Sequence, residues 1–175
     1  PEYDLNGDGV CQYLVFKGEP GNPEAEARTS YSVSQAEERG MKMENVQGEP
    51  VVANWATDQA QNSMEAILAA HEGEIEAVFC NNDDMAIGAL QAIQAAGRTV
   101  NKDIYLVGVD ALDAAKNEVA NGNMTGTVLN DAKGQATQAV ASMEELLGGK
   151  TFEADHQSVY VDYVKVTPDN VKDFQ

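Results

Sequence analysis

The stretch Asp4-Leu5-Asn6-Gly7-Asp8-Gly9-Val10-Cys11-Gln12 sets side-chain oxygens at positions 1, 3, 5 and 9 of a tight loop, with Gly at position 6. That is the opening pattern of an EF-hand-type calcium loop. A hard dication takes about six to eight oxygens at short range, and alternate residues of a curling backbone can aim several at one centre. Gly9 supplies the sharp turn, and the Val10 carbonyl falls where a backbone ligand belongs. The pattern then departs from the EF-hand. Its twelfth position is Val15 rather than Glu, and Tyr13-Leu14-Val15-Phe16 reads as a strand where a helix would begin. A bidentate carboxylate must therefore come from elsewhere in the chain. The competing reading is an Asx-rich turn that binds nothing.

A second set of polar groups follows the apolar runs. Gly18-Glu19-Pro20-Gly21-Asn22-Pro23-Glu24, with Arg28 one turn on, follows the first; Trp55 follows the second and Asn81-Asn82-Asp83 the third. Asp110 closes the fourth, and Asn130-Asp131 the fifth. Amides, carboxylates, one Arg and the lone Trp suit an uncharged polyhydroxylated ligand: carboxylates and amides bind vicinal hydroxyls in pairs, and an indole covers the C–H face of a sugar ring. Each residue alone also has an ordinary structural role. Asn22 and Asp83 are helix N-cap candidates, Trp55 is a core candidate, and Arg28 can pair with Glu24 four residues earlier. Nucleophile patterns are absent: there is no Gly-x-Ser-x-Gly elbow and no supported Cys–His pairing. His71, at a helix end, and His156, in a loop, read as solvated. Gly149-Lys150-Thr151 imitates the tail of a phosphate loop, but the earlier Gly is replaced by Glu144 and a helix precedes it.

The elements that must position these groups alternate. Strands are expected at 12–18, 49–53, 75–80, 103–109, 124–129 and 157–166, and helices at about 23–39, 57–71, 83–96, 111–121 and 131–147. The strands are short, continuous and β-branched, as in Ile104-Tyr105-Leu106-Val107-Gly108-Val109, which suits strands covered on both faces. Pro23 after Asn22, Thr57 or Asp58, and Asp83 mark helix starts, while Gly40, Gly73, Gly97 and Gly122 mark ends. Such alternation predicts an α/β fold: a doubly wound, mostly parallel sheet flanked by helices, with ligands outside the carboxyl ends of its strands.

A chain of 175 residues is long enough for a sizeable core. Its net charge of −18 argues against nucleic acid and anionic membrane as partners, since phosphates would be repelled. No stretch approaches the ~20 apolar residues of a spanning helix. The chain opens on Pro1 without a signal segment, which reads as a fragment or a processed product. Cys11 and Cys80 sit in apolar runs; two buried thiols are the default, and a disulfide stays open.

Asp4-Leu-Asn-Gly-Asp-Gly, the segment Lys17 to Arg28, Asn81-Asn-Asp, Gly108-Val-Asp-Ala-Leu112 and Gly126-Thr-Val-Leu-Asn-Asp131 together resemble the periplasmic galactose/glucose-binding proteins, type I periplasmic sugar-binding proteins that serve ABC transporters and chemotaxis. The likeness covers nearly all of this chain but only the latter part of the family's length. It implies a calcium site at Asp4, Asn6, Asp8, the Val10 carbonyl and Gln12, closed by Glu76 as the distant bidentate carboxylate. It implies sugar contacts at Asn22, Glu24, Arg28, Trp55, Asn82, Asp110 and Asn130. The family pattern has His where Asn22 stands and Asp where Glu24 stands, which puts glucose or galactose as the ligand in doubt. It also implies an organisation: 1–130 as the carboxyl-terminal lobe with half of the cleft, 131–160 as a hinge crossing with a helix and strand of the other lobe, and 161–175 as the return. The other lobe is then largely missing, and the apolar stripe Ala136, Val140, Met143 and Leu147 needs a partner, through self-association or an accompanying amino-terminal segment.

The resulting expectation is a non-catalytic, extracytoplasmic protein that captures a neutral monosaccharide for an ABC permease, with a chemoreceptor as a further partner and a structural Ca²⁺. The rivals are the effector-binding core of a sugar-responsive repressor, a metal-dependent hydrolase using the acidic loop, and a calcium-dependent interaction module without a small ligand.

Overall fold

The computed structural model describes residues 3–151 and 158–175. Among the described residues, seven strands and five α-helices follow in the order β1 (Cys11–Lys17), α1 (Pro23–Glu38), β2 (Met43–Asn45), β3 (Val51–Val52), α2 (Thr57–Ala70), β4 (Ala77–Cys80), α3 (Asp83–Ala95), β5 (Tyr105–Val107), α4 (Asp113–Ala120), β6 (Thr127–Leu129), α5 (Ala132–Leu147) and β7 (Val164–Val166), with a closing 3₁₀ turn at Val171–Phe174. This is the expected α/β architecture, a mostly parallel sheet flanked by helices.

β1 is an interior strand of the sheet, paired on both sides, and its residues Leu14, Val15 and Phe16 are buried. On one side it pairs in parallel with β4, Tyr13 opposite Ala77 and Phe16 opposite Cys80, and β4 pairs in parallel with β5. On the other side β2 pairs with its first half and β3 with its second half, so these short segments act as one interrupted edge strand. Single parallel bridges, Val107 to Gly126 and Asp110 to Leu129, carry the sheet on from β5 towards β6, and β6 pairs with β7 in antiparallel fashion.

The sheet is covered on both faces, as its unbroken apolar runs require. Leu14 and Phe16 of β1, with Val78 and Cys80 of β4, face the larger core built on Met64, Met85, Ile93 and Leu106. Cys11, Tyr13, Val15 and Ala77 face a smaller cluster on the opposite side. Each fully buried large side chain contributes roughly 1.5–3 kcal/mol relative to exposure. The two thiols are free and buried, and they belong to opposite faces of the sheet, which closes the disulfide alternative.

Several local expectations change. Asn82, not Asp83, caps α3, its side-chain oxygen accepting from Met85 N. The residue before α2 is Ala56, and neither Thr57 nor Asp58 makes a side-chain cap there. The expected final strand at 157–166 narrows to Val164–Val166, with residue 157 outside the described residues. His71 is partly exposed, as expected at a helix end, and bonds to Gln47 and Glu74 at the surface, while His156 lies outside the described residues. Helix α5 buries no residue: Val140, Met143 and Leu147 of its apolar stripe are all exposed.

Candidate functional site

At the carboxyl ends of β1, β4, β5 and β6 the structure gathers the polar residues marked in the sequence. α1 starts directly after the β1 turn because Asn22 accepts hydrogen bonds from Glu24 N at 2.9 Å and Ala25 N at 3.2 Å, with Pro23 at the first helical position. That start aims Arg28 back over the sheet. Its Nη1 donates to the Asn81 carbonyl at 2.8 Å and lies 3.6 Å from Asp110 Oδ1. Its Nη2 lies 3.5 Å from Glu24 Oε2 and 3.4 Å from the Tyr163 hydroxyl. The guanidinium carbon sits 5.9 Å from the centre of the Trp55 ring.

Trp55 is half-buried on an unusual support. Asn54 and Trp55 both have positive φ, and the indole lies against the Gly18 backbone so closely that a Cβ there would fall 2.2 Å from the ring. Asn82 ties this turn to α3, its Nδ2 donating to the Trp55 carbonyl at 3.4 Å. Asn130 Nδ2 donates to Asp110 Oδ1 at 3.4 Å, and Gln135 donates to Asn130 Oδ1 at 2.7 Å. Glu24, Arg28, Trp55, Asn82, Asp110 and Asn130 are thus linked contact by contact, with Asn22 at the edge of the group.

Asp110 and Ala111 form a second strained segment of the site, in addition to Asn54 and Trp55. The φ of Asp110 is 117° and that of Ala111 is 55°, both in the region that favours glycine; such residues cost of order 1–3 kcal/mol each and persist only where surroundings hold them. Burial pushes the Asp110 carboxyl up, while the positive charge of Arg28 and the Asn130 bond oppose the rise. A carboxylate, an amide and a guanidinium within bonding reach, beside an indole, can bind adjacent hydroxyls by paired donors and acceptors. Beside this cluster lies a groove of about 510 Å³, its apolar lining drawn from Pro23, Ala27, Tyr31, Val109, Val128 and Tyr163.

Three contributors stand outside the expected ligand contacts, and of these Tyr163 is not marked in the sequence at all. Asn81 is buried and accepts from Gly18 N and Thr29 Oγ1, both at 3.1 Å, so it fixes the β1 turn under Trp55. Tyr163 reaches Arg28 from 135 residues away in the chain, a partnership without local signal. Asp83 is fully buried among β5, α4 and β6 rather than exposed at a helix start. The polar triplet Asn81-Asn82-Asp83 straight after an apolar strand was the available signal for the first and last.

The Asp4–Gln12 loop lies at the opposite, amino-terminal end of the sheet. It is drawn tight by its own side chains: Asp4 accepts from Gly7 N at 2.7 Å and Gly9 N at 2.9 Å, Asn6 from Asp8 N at 2.9 Å, and Asp8 from Val10 N at 2.9 Å. The Val10 amide holds the Asp8 carboxyl below its ordinary value. Gln12 bridges Asn6 at 3.0 Å and Asp8 at 2.8 Å. Glu76, 1 % exposed just before β4, accepts from Asn6 N at 2.8 Å with one oxygen and Gln12 N at 3.1 Å with the other. The structure therefore brings Glu76 to the loop, although 64 residues separate it from Gln12. The donor set is all oxygen, the chemistry of a hard cation, and each oxygen keeps a further lone pair. Among the described residues, no group of three or more Asp, Glu, His or Cys side chains closes into a metal cage. The hollow of about 740 Å³ behind this loop, between the ends of α2 and α3, is lined by apolar side chains and by charged ones of both signs, Glu65, Glu72, Arg98 and Lys102 among them, and lies away from the polar cluster.

Residues 3–151 match the family model described as a periplasmic binding protein domain. The chain is 36% identical to the D-galactose/methyl-galactoside binding periplasmic protein of Haemophilus influenzae, over 99% of this chain and 53% of that protein. Among solved structures it superposes on an ABC transporter solute binding protein from Bacillus halodurans with bound myo-inositol, with TM-score 0.82 and 29% identity, over 99% of this chain and 57% of that one. It also superposes on a periplasmic solute binding protein from Actinobacillus succinogenes with bound D-allose, with TM-score 0.84 and 26% identity, over 98% of this chain and 58% of that one. The chain spans about half the length of the curated relatives it matches. With this fold, this match over most of its length and these relatives, the chain belongs to the periplasmic binding protein domain family.

Proposed function

We propose that this chain forms one lobe of an extracytoplasmic solute-binding protein that captures a neutral monosaccharide or related polyol for an ABC permease. The observation that carries this reading is the Arg28–Asp110–Asn130 cluster, set at the carboxyl ends of a parallel sheet beside Trp55. The relatives' sugar and cyclitol ligands support the ligand class. The role is capture and release rather than catalysis, on the periplasmic side, with a chemoreceptor as a second partner of the loaded protein.

Asn22, Glu24, Arg28, Trp55, Asn82, Asp110 and Asn130 are the proposed ligand contacts. Asn22 spends its oxygen on the α1 cap and offers the ligand Nδ2 donors, while Glu24 offers acceptors beside Arg28. A ring with an acceptor-rich edge and adjacent hydroxyls meets both. Arg28 is already matched by carboxylates, so an anionic ligand would compete with Asp110 rather than complete the site.

The second part of the proposal is a structural Ca²⁺ held by Asp4, Asn6, Asp8, the Val10 carbonyl, Gln12 and Glu76. The oxygen-only donor set and the buried Glu76 carboxylate aimed at the loop support it. The ion would neutralise that buried charge and stabilise the native state by binding it alone. The third part concerns organisation: residues 1–130 and 161–175 form this lobe, and 131–160 cross to a second lobe. The absence of buried residues in α5 supports that assignment. In isolation the exposed α5 face then drives self-association, and sedimentation would show a concentration-dependent dimer lost in Met143→Glu.

Trp55 is the lone tryptophan, so its fluorescence tests the ligand reading directly. Titration with a panel of hexoses, pentoses and cyclitols is expected to change Trp55 emission saturably for a subset of the panel. Unchanged emission across the panel in a calcium-loaded full-length protein would contradict the proposal.

A further inference from the structure

We infer that Asp83, which touches no proposed ligand contact by hydrogen bond, is the positioning residue that holds the Asp110 carboxylate in the cluster, with Thr127 as its relay. The inference rests on reading Asp110 as a ligand group. Three observations carry it. Asp83 is 0 % exposed, yet it is not the α3 cap, because Asn82 fills that role. One carboxylate oxygen accepts from Leu112 N at 2.8 Å, and the other accepts from Thr127 Oγ1 at 2.6 Å. Thr127 Oγ1 in turn accepts from Ala111 N at 3.3 Å. The two amides that follow Asp110 are therefore both tied to the Asp83–Thr127 pair. They belong to the segment whose φ angles at Asp110 and Ala111 are positive without glycine.

The pair is braced from three elements. Asp83 stands on α3, Thr127 on β6, and the end of β5 closes the space from below: a Cβ on Gly108 would lie 2.3 Å from Asp83 Oδ1. An acid at a helix start is ordinarily solvated and interacts with the helix dipole from outside. A fully buried one instead demands donors, and here two of them point from β6 and from the segment after Asp110. A backbone held in a sparsely populated conformation relaxes when its restraints go, and with it turns the carboxylate 3.6 Å from Arg28 and 3.4 Å from Asn130.

The test uses the full chain at pH 7.5, with calorimetric titration of D-galactose, D-glucose, D-allose, D-ribose and myo-inositol into the wild type, Thr127→Val, Asp83→Asn, Asp110→Ala and Asp110→Ala/Thr127→Val, and amide hydrogen exchange on each. Thr127→Val keeps the shape of the core and removes both relay bonds, so it decides the matter should Asp83→Asn not fold. Expected are an affinity loss of about tenfold or more in Thr127→Val and little further loss when it is added to Asp110→Ala. The Ala111 and Leu112 amides are expected to exchange faster in both single variants while those of β1 stay protected. Wild-type affinity in Thr127→Val, or a loss that simply adds to that of Asp110→Ala, would overturn the inference. Should no sugar bind the wild type, the ligand reading fails by itself. Exchange then still decides the positioning role: unchanged Ala111 and Leu112 protection overturns it, and selective loss supports it.

Discussion

Arg28 and Asp110 form an ion pair of 3.6 Å across the carboxyl edge of the sheet, between the start of α1 and the end of β5. The pair is only partly exposed and neither partner is locked in it. Arg28 is held from behind by the Asn81 carbonyl and stands near the Trp55 ring; Asp110 is held by Asn130. A loose, supported pair of this kind can part to admit hydroxyl groups, since its members keep other restraints when they do.

Gly18 should tolerate no side chain. A Cβ would meet the Trp55 indole at 2.2 Å, so Gly18→Ala must push the ring off its support. A stability loss of about 1–3 kcal/mol is expected, with a red-shifted Trp55 emission. Denaturant unfolding and fluorescence check both; an unchanged spectrum would show the ring to be free to move.

Asp83 should give the protein a specific pH dependence. Burial, with the charge of Asp110 adding to it, pushes its carboxyl up from 3.8 to about 6, against the opposing Thr127 and Leu112 bonds. The folded state thus holds this proton more tightly than the unfolded chain. The stability it contributes is full below about pH 4 and lost as pH rises through about 6, up to roughly 3 kcal/mol. Unfolding free energies measured from pH 4 to 7 should fall for the wild type relative to Asp83→Asn. Parallel curves would contradict the assignment.

Glu76 is the residue on which calcium binding should turn. With Ca²⁺ in excess, the melting temperature of the wild type should rise over that in EGTA, by several degrees at saturation. In Glu76→Ala the rise should vanish, because the buried carboxylate that faces the loop is gone. Thermal unfolding in both conditions checks this; an equal rise in the variant would remove Glu76 from the site.

The legible part of this protein was what local pattern determines. Alternating apolar runs and helical stretches predict the α/β fold, and Asn22 followed by Pro23 marks the start of α1 correctly. β2 was not legible, because Met43-Glu44-Asn45 has no apolar run and becomes a strand only by pairing with Cys11–Tyr13. In the site, strand ends point to Arg28, Asp110 and Asn130 as neighbours. That Asn82 caps α3 while Asp83 turns to Thr127 and Leu112 depends on β6 and the segment after β5 arriving over α3, a long-range event that adjacent polar residues cannot encode. The Tyr163 contact to Arg28 has the same character.

The most direct test of the central claim is calorimetric titration of the sugar panel into the calcium-loaded protein with both lobes present, as wild type and as Asp110→Ala. Binding of at least one neutral monosaccharide or cyclitol to the wild type is predicted, with a loss of roughly 10–100-fold in the variant, the size expected when a charged hydrogen-bond acceptor is removed. Binding of equal affinity in both, or none in the wild type, would contradict the account.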